Sequence, residues 1–463
     1  MKLARLAERR YVKKHLGCVR HITLDPGGPG VIRIHMVPPS GAWDRSVPWL
    51  LILNGQDILP VGLSWAIMLG CFMDRLQPYE GRELEEEAWD AVLDGAVKDT
   101  QAVYPAMTKK LIRGELNKLM TCLEAVAQGR EPRGKIRRVT LAEYAEHMTA
   151  PHRIDLMISA MERDGRWHCN QKCLHCYAAG QTGAGTAELT TEQWKEILKR
   201  CRAAKIPQIT FTGGEPTLRP DLVELVEAAR WFVTRLNTNG RLLTEELCQK
   251  LHAASLDSVQ ITLYSAEAEI HNELVGAAGF ADTVDGIRNA LAAGLNCSVN
   301  TPLCSRNRDY RATLALLHGL GIRYVTCSGL IPSGNALTGG SAATALSSEE
   351  LAALLREAAA FCREHQMELS FTSPGQVDAE TLREAGILEV PSCGACLSNM
   401  AVRPDGVVVP CQSWLSGPAL GNLLEMPWKT IWNHPDCAAI RAASAKTDFT
   451  CQLRQRTREE ATV

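Results

Sequence analysis

The chain has 463 residues, of which 46% are hydrophobic and 22% charged, with a formal net charge of −2. That length leaves room for roughly two to four domains with substantial cores, and the composition excludes a disordered chain. Near-neutral charge offers no overall basic field for nucleic acid; the two dense basic runs, Arg9 to Lys14 and Arg130 to Arg138, read as solvated faces or linker.

In chain order, Met1 to Gly17 is basic and amphipathic and lacks the apolar centre of an export signal. The most apolar run, Ile58 to Met73, is shorter than the ~18 residues a membrane span needs, and Pro60 and Gly62 interrupt it. The expectation is buried core, no membrane partner and a cytoplasmic location. Val31 to Met36 alternates apolar and polar like a half-buried strand. Trp49 to Leu53 is a second strand, and Asn54-Gly55 a turn signal. Helical patterns follow near Leu63–Leu76, Glu83–Lys98 and Met107–Ala127. Residues 1–129 therefore read as a small α+β unit of winged-helix-like order, and 130–152 as a polar linker.

From 153 to 373 the pattern is strand, loop, helix, repeated. Short β-branched runs lie at Ile154–Ser159, Gln208–Thr212, Phe232–Leu236, Ser258–Leu263, Cys297–Asn300 and Tyr324–Ser328. Thr190 and Gln193 form a capping box before one helix. Phe280, Val284, Ile287 and Leu291 share a face that stops at Gly294, Leu314, Leu317 and Leu320 do the same before Gly321, and Ser347 and Glu350 open another helix. Such an alternation is an α/β fold with a parallel sheet. Six units are too few for a closed eight-fold barrel and predict a partial, TIM-like (β/α)6 barrel, with chemistry where strands end and loops begin.

Residues 374–463 change character again. Cys393, Cys396, Cys411, Cys437 and Cys451 lie in a Gly- and Pro-punctuated stretch, with a hairpin signal at Asp405-Gly406. A region this small needs a metal staple. All seventeen cysteines belong to a chain without an export signal, so a disulfide framework is not expected. Cys18, Cys71, Cys122, Cys201, Cys248 and Cys362 read as small buried hydrophobes.

The sharpest signal is Trp167-His168-Cys169-Asn170-Gln171-Lys172-Cys173-Leu174-His175-Cys176-Tyr177, with three cysteines at C-x3-C-x2-C spacing. Three thiolates on a tight loop can hold three corners of a [4Fe–4S] cube and leave one iron open for a small molecule. The alternative is zinc, with His168 or His175 among its ligands. One strand–helix unit later, Gly213-Gly214-Glu215 ends the second strand. Two glycines permit close approach, and Glu215 can accept hydrogen bonds from a cationic amine.

Taken together, H-C-N-Q-K-C-L-H-C-Y and T-G-G-E-P-T-L resemble the radical S-adenosylmethionine (SAM) superfamily over roughly 154–330. The resemblance implies an enzyme that splits SAM reductively to a 5′-deoxyadenosyl radical, which takes a hydrogen atom from substrate. It implies cluster ligands Cys169, Cys173 and Cys176. Gly213, Gly214 and Glu215 would sit at the methionine amine and Tyr177 beside the adenine. The polar strand ends Asn239, Ser265 and Asn300 would contact the carboxylate and ribose, or merely cap loops. Cys393-x2-Cys396, nine residues to Gly406 and four to Cys411 resemble the auxiliary-cluster extension called SPASM or, when shorter, Twitch. Of the four further cysteines that the longer form should carry, only Cys451 appears. One auxiliary [4Fe–4S] cluster is implied, on Cys393, Cys396, Cys411 and Cys451, with Cys437 as the other fourth ligand and a structural zinc as the other metal.

The N-terminal unit loosely resembles a PqqD-like element that binds a leader peptide, or it is a cap of the barrel. The substrate class implied is a ribosomally made precursor peptide, matured by a crosslink, thioether or epimerisation. A tetrapyrrole or sugar substrate, or maturation of a sulfatase, is the alternative. A non-enzymatic iron–sulfur or zinc protein is the reading from another class. A low-potential donor such as flavodoxin or ferredoxin is the implied electron partner. Cys304 and Cys327, near strand ends, could face the radical or sit in the core.

Overall fold

Alternating apolar and polar residues build the strands of both parts of the chain, and glycines and capping boxes stop the helices between them. The computed structural model describes residues 2–16, 19–24, 32–39, 48–53, 57–79, 84–127, 143, 145–446 and 450–460. These divide into two compact units, 1–149 and 150–463.

The first unit opens with a helix, Lys2–His15, and an antiparallel sheet of β1 (Arg20–Leu24), β2 (Ile32–Val37), β3 (Trp49–Leu53) and β4 (Asp57–Val61), in that order. The β3 residues are all buried. Three helices follow, Leu63–Leu76, Glu86–Val103 and Lys109–Ala127. Their apolar faces share one core with Ile34, Met36, Trp49 and Leu51. The apolar run at Ile58 to Met73 is thus β4 and a buried helix, as read. The opening helix and β1 are additions: one is too basic and the other too short to stand out. Asn54-Gly55, Cys18 and the basic run 130–138 lie outside the described residues, although β3 and β4 pair antiparallel on either side of that turn.

The second unit holds a sheet of ten strands. In chain order they are β5 (Arg153–Ser159), β8 (Gln208–Gly213), β9 (Val233–Thr238), β10 (Ser258–Thr262), β11 (Asn296–Pro302), β12 (Tyr324–Ser328), β13 (Glu368–Phe371), β14 (Asn399–Val402), β15 (Val407–Val409) and β16 (Gly421–Asn422). A small hairpin of β6 (Glu162–Arg163) and β7 (Arg166–Trp167) follows β5. The spatial order is β13-β12-β11-β10-β9-β8-β5-β14-β15-β16. Strands β5 and β8 to β13 are parallel, so all six expected strands are present in a partial barrel. A seventh, β13, joins them; Glu-Leu-Ser-Phe carries no β-branched residue and only four positions, too weak a pattern to read alone.

Both capping boxes form, at Thr190 and at Ser347, and Gly294 and Gly321 take the left-handed conformation after their helices. The hairpin at Asp405-Gly406 is β14 and β15, and β14 pairs in parallel with β5. The cysteine-rich region therefore continues the barrel sheet. Among the described residues no helix is long and apolar enough to cross a membrane.

Candidate active site

The three-cysteine loop leaves β7 and is held from several sides. The Lys172 and Leu174 amides donate to Val275 O and Leu274 O at the end of one helix (3.0 and 2.8 Å). The Asn335 amide donates to Cys176 O (3.0 Å), Asn335 Nδ2 to Cys173 O (3.3 Å) and Ser341 Oγ to Leu174 O (3.0 Å). Gly334 has φ +57°, and a Cβ there would lie 2.4 Å from Tyr177 O and 2.5 Å from Cys176 O. Only glycine permits that closeness.

Cys169 Sγ donates to Gly214 O at 3.4 Å, which brings the loop against the end of β8. Gly213 has φ +132°, and a Cβ on it would meet Ser159 O at 2.1 Å; one on Gly214 would meet Ala160 O at 2.7 Å. The close approach that requires both glycines is thus to the end of β5, within the protein itself. Glu215 is buried. Its Oε1 accepts from the Thr217 amide (3.0 Å), Thr217 Oγ1 (2.6 Å) and Thr238 Oγ1 (2.6 Å), and its Oε2 from the Asn239 amide (2.8 Å). The carboxylate ties the ends of β8 and β9 together, and Oε2, with one donor, keeps room for another. Burial pushes its carboxyl pKa up, against those four bonds.

Asn239 Nδ2 donates to Asn170 Oδ1 (2.6 Å) and Arg241 Nη1 to Asn170 O (2.8 Å), both gripping the cysteine loop. Asn239 thereby positions the loop. Ser265 Oγ accepts from the Glu267 amide (3.0 Å), the loop cap that was one of its two readings. Asn300 Oδ1 accepts from Thr326 Oγ1 (2.9 Å) inside the barrel. Tyr177 lies beside Thr212, and burial raises the pKa of its phenol. It packs with Met157, Ala401, Val409 and Leu415, between the barrel and the cysteine-rich hairpin. His175 is occupied elsewhere: its Nε2 meets Thr344 Oγ1 at 2.7 Å, and burial lowers its pKa to about 4. Cys304 and Cys327 are fully buried. Asn170, Arg241, Thr238 and Asn335 escaped the sequence reading; Asn170 stands inside the quoted cysteine motif and could have been flagged there.

The donor set suits a cluster. Burial pushes the Cys169 thiol up to about 12 and Cys173 and Cys176 upward, with mutual repulsion adding to the first two. Buried thiolates in such a group need a strong local cation, which iron supplies. Among the described residues no three His, Cys, Asp or Glu side chains gather for a single ion; thiols at the corners of a cube are set around a body rather than one centre.

The second cysteine group also comes together. Cys393 lies beside Cys451, and Cys396 beside Cys437. Cys411 lies within electrostatic reach of Cys393, and burial pushes it up to about 12. Both candidates for the fourth position are therefore beside it, one at each end. Arg441 Nη1 donates to Cys437 Sγ (3.4 Å), and that cysteine is fully buried within the helix Pro435–Ser444.

Comparisons with known proteins agree with this layout. Residues 168–318 match the radical SAM superfamily and residues 393–454 match the SPASM iron–sulfur cluster-binding domain. The AdoMet-dependent heme synthase of Methanosarcina barkeri is 28% identical over 286 residues, covering 58% of this chain and 80% of that protein. The mycofactocin maturase MftC of Mycobacterium tuberculosis is 34% identical over 173 residues, covering 36% of this chain and 43% of its own length. The chain thus spans less than half of that maturase. In fold, Streptococcus suis SuiB bound to its precursor peptide SuiA has a TM-score of 0.59 at 13% identity, covering 88% of this chain and 93% of that one.

Proposed function

We propose that this chain, a radical SAM enzyme with a C-terminal SPASM domain, abstracts a hydrogen atom from a precursor peptide during its maturation. The observation that carries the reading is the Cys169 Sγ contact to Gly214 O, because it sets the three-thiol loop against the Gly-Gly-Glu strand end. When bound, a reduced [4Fe–4S] cluster and SAM would supply one-electron cleavage of the S–C5′ bond, with methionine as the leaving group and the adenosyl carbon as hydrogen acceptor. In this chain Cys169, Cys173 and Cys176 would hold that cluster. Glu215 Oε2 would receive the methionine amine, and Tyr177 would flank the adenine. The polar side chains of Asn300 and Ser265 would bound the far side, and the barrel wall would exclude water.

A peptide substrate is supported by the maturase likeness and by the SuiB fold, whose coverage exceeds what residues 150–463 alone could supply. In this reading the sheet of the first unit takes the leader as an added strand on one of its outer members, β1 or β4. A tetrapyrrole is the second reading, favoured by the length of the heme synthase match. The test is anaerobic reconstitution, reduction with dithionite and product analysis. 5′-Deoxyadenosine should form, and a co-expressed peptide encoded beside this protein should lose about two mass units per crosslink, or on epimerisation keep its mass in H2O and gain about one unit in D2O. Turnover of a porphyrin with no effect on any peptide would favour the second reading.

For the auxiliary cluster we propose Cys393, Cys396, Cys411 and Cys451 as ligands, since Cys437 is fixed within the helix Pro435–Ser444. Cys451→Ala should lower iron from about eight towards about four atoms per chain, whereas Cys437→Ala should leave it near the wild-type value. Iron analysis after reconstitution checks both; the reverse pattern would exchange the two cysteines.

A further inference from the structure

Inside the barrel, one register row crosses four neighbouring strands: Asp155 on β5 pairs with Thr210 on β8, Thr210 with Arg235 on β9, and Arg235 with Ser258 on β10. Strand alternation sends this row inward: the neighbours Ile209, Phe211 and Leu236 are the fully buried apolar residues of the opposite face. A barrel interior of this kind is normally filled by fully paired or apolar groups, and this row is polar and only partly paired. Thr210 is 1% exposed and its Oγ1 has no hydrogen-bond partner. Neither oxygen of Asp155 accepts a hydrogen bond, although Arg153 Nε stands 3.0 Å away. One step up the same face, Asn237 Oδ1 is also buried without a partner.

Arg235 carries the largest imbalance. Among the described residues its guanidinium forms no ion pair, and its hydrogen bond to Ser258 Oγ is long, at 3.5 Å. A guanidinium offers five N–H donors in a rigid fork. Burial lowers its pKa to about 10, with Arg153 repelling it and Asp155 attracting it. Asp155 is ion-paired with Arg153, so among the described residues Arg235 has only the long Ser258 contact and no carboxylate of its own.

We infer that this row seats a carboxylate of the substrate, with Arg235 as its forked partner and the Thr210 hydroxyl as an additional donor. The inference rests on the proposed function, because it places substrate in the barrel interior, and it narrows the substrate to one that carries a carboxylate into the barrel. That group is either an Asp or Glu side chain or a free C-terminus.

The test uses the full, anaerobically reconstituted chain with SAM and two pairs of probes, with binding followed by ligand-observed NMR titration. N-acetylglycine against N-acetylglycinamide reports a terminal carboxylate. N-acetylglutamic acid α-amide against N-acetylglutamine amide reports a side-chain one. One acid should bind at least about tenfold tighter than its amide, as a charge-assisted bond to a half-buried guanidinium implies. The better pair identifies the source. Arg235→Gln should abolish the preference, and Arg235→Lys should keep part of it. Equal binding of acids and amides, or a preference that survives Arg235→Gln, would overturn the inference. Should Arg235→Gln fail to fold, Arg235→Lys and Thr210→Val decide: an undiminished preference in both sinks the assignment. Formation of 5′-deoxyadenosine by the wild-type protein is scored separately, so a failed probe assay with that product present removes the carboxylate and leaves the radical chemistry standing.

Discussion

Cys173→Ala should yield a folded protein that makes no 5′-deoxyadenosine, a loss of more than about a thousandfold. The reason is geometric before it is chemical. The Cys173 carbonyl is already held by Asn335, and its neighbours Lys172 and Leu174 by the end of the helix Ala268–Val275. The loop therefore keeps its course when one thiol is removed, and what is lost is one of three corners. Iron should fall towards about four atoms per chain while the auxiliary signal persists in the electron paramagnetic resonance spectrum. Anaerobic product analysis, with circular dichroism as the folding control, checks the result. A Cys173→Ala protein that still splits SAM would show that the loop is not the cluster site.

The second large effect belongs to Glu215. Its carboxylate collects four donors in the buried ends of β8 and β9. Glu215→Gln preserves the shape and reverses the polarity of one oxygen. An amide NH2 must then face either the Asn239 amide or the Thr217 amide, neither of which can accept. A buried donor facing a donor costs about 1–3 kcal/mol, and here the cost falls on the turn that carries Asn239 against Asn170. Affinity for SAM should drop by about tenfold or more, measured by equilibrium dialysis with labelled SAM. Glu215→Ala should do worse and also lower the melting temperature. Wild-type affinity in Glu215→Gln would mean that this carboxylate neither positions the site nor touches its ligand.

The barrel was readable because its strands repeat one grammar: β-branched runs, then a loop, then a helix with a cap or a terminal glycine. The site was readable where residue identity alone is chemically restrictive, as in three thiols within eight positions. Less was legible where identity is permissive. Ser265 and Asn239 could be ligands or loop pins, and both turn out to hold protein groups. Gly213 and Gly214 announce closeness, yet nothing in a sequence says to what; their neighbour is β5. Arg235 and Thr210 looked like ordinary strand residues. Only the register across β5, β8 and β9 puts them in one row.

The pairing of β14 with β5 has a separate consequence for how this region can vary. The hairpin covers what would otherwise be a naked border of the barrel, along Arg153 to Leu156, and an uncovered strand border is a template for self-association. Keeping the segment and keeping its cysteines are thus two independent demands. Descendants could shed thiols here one after another and still be obliged to retain the polypeptide that once displayed them.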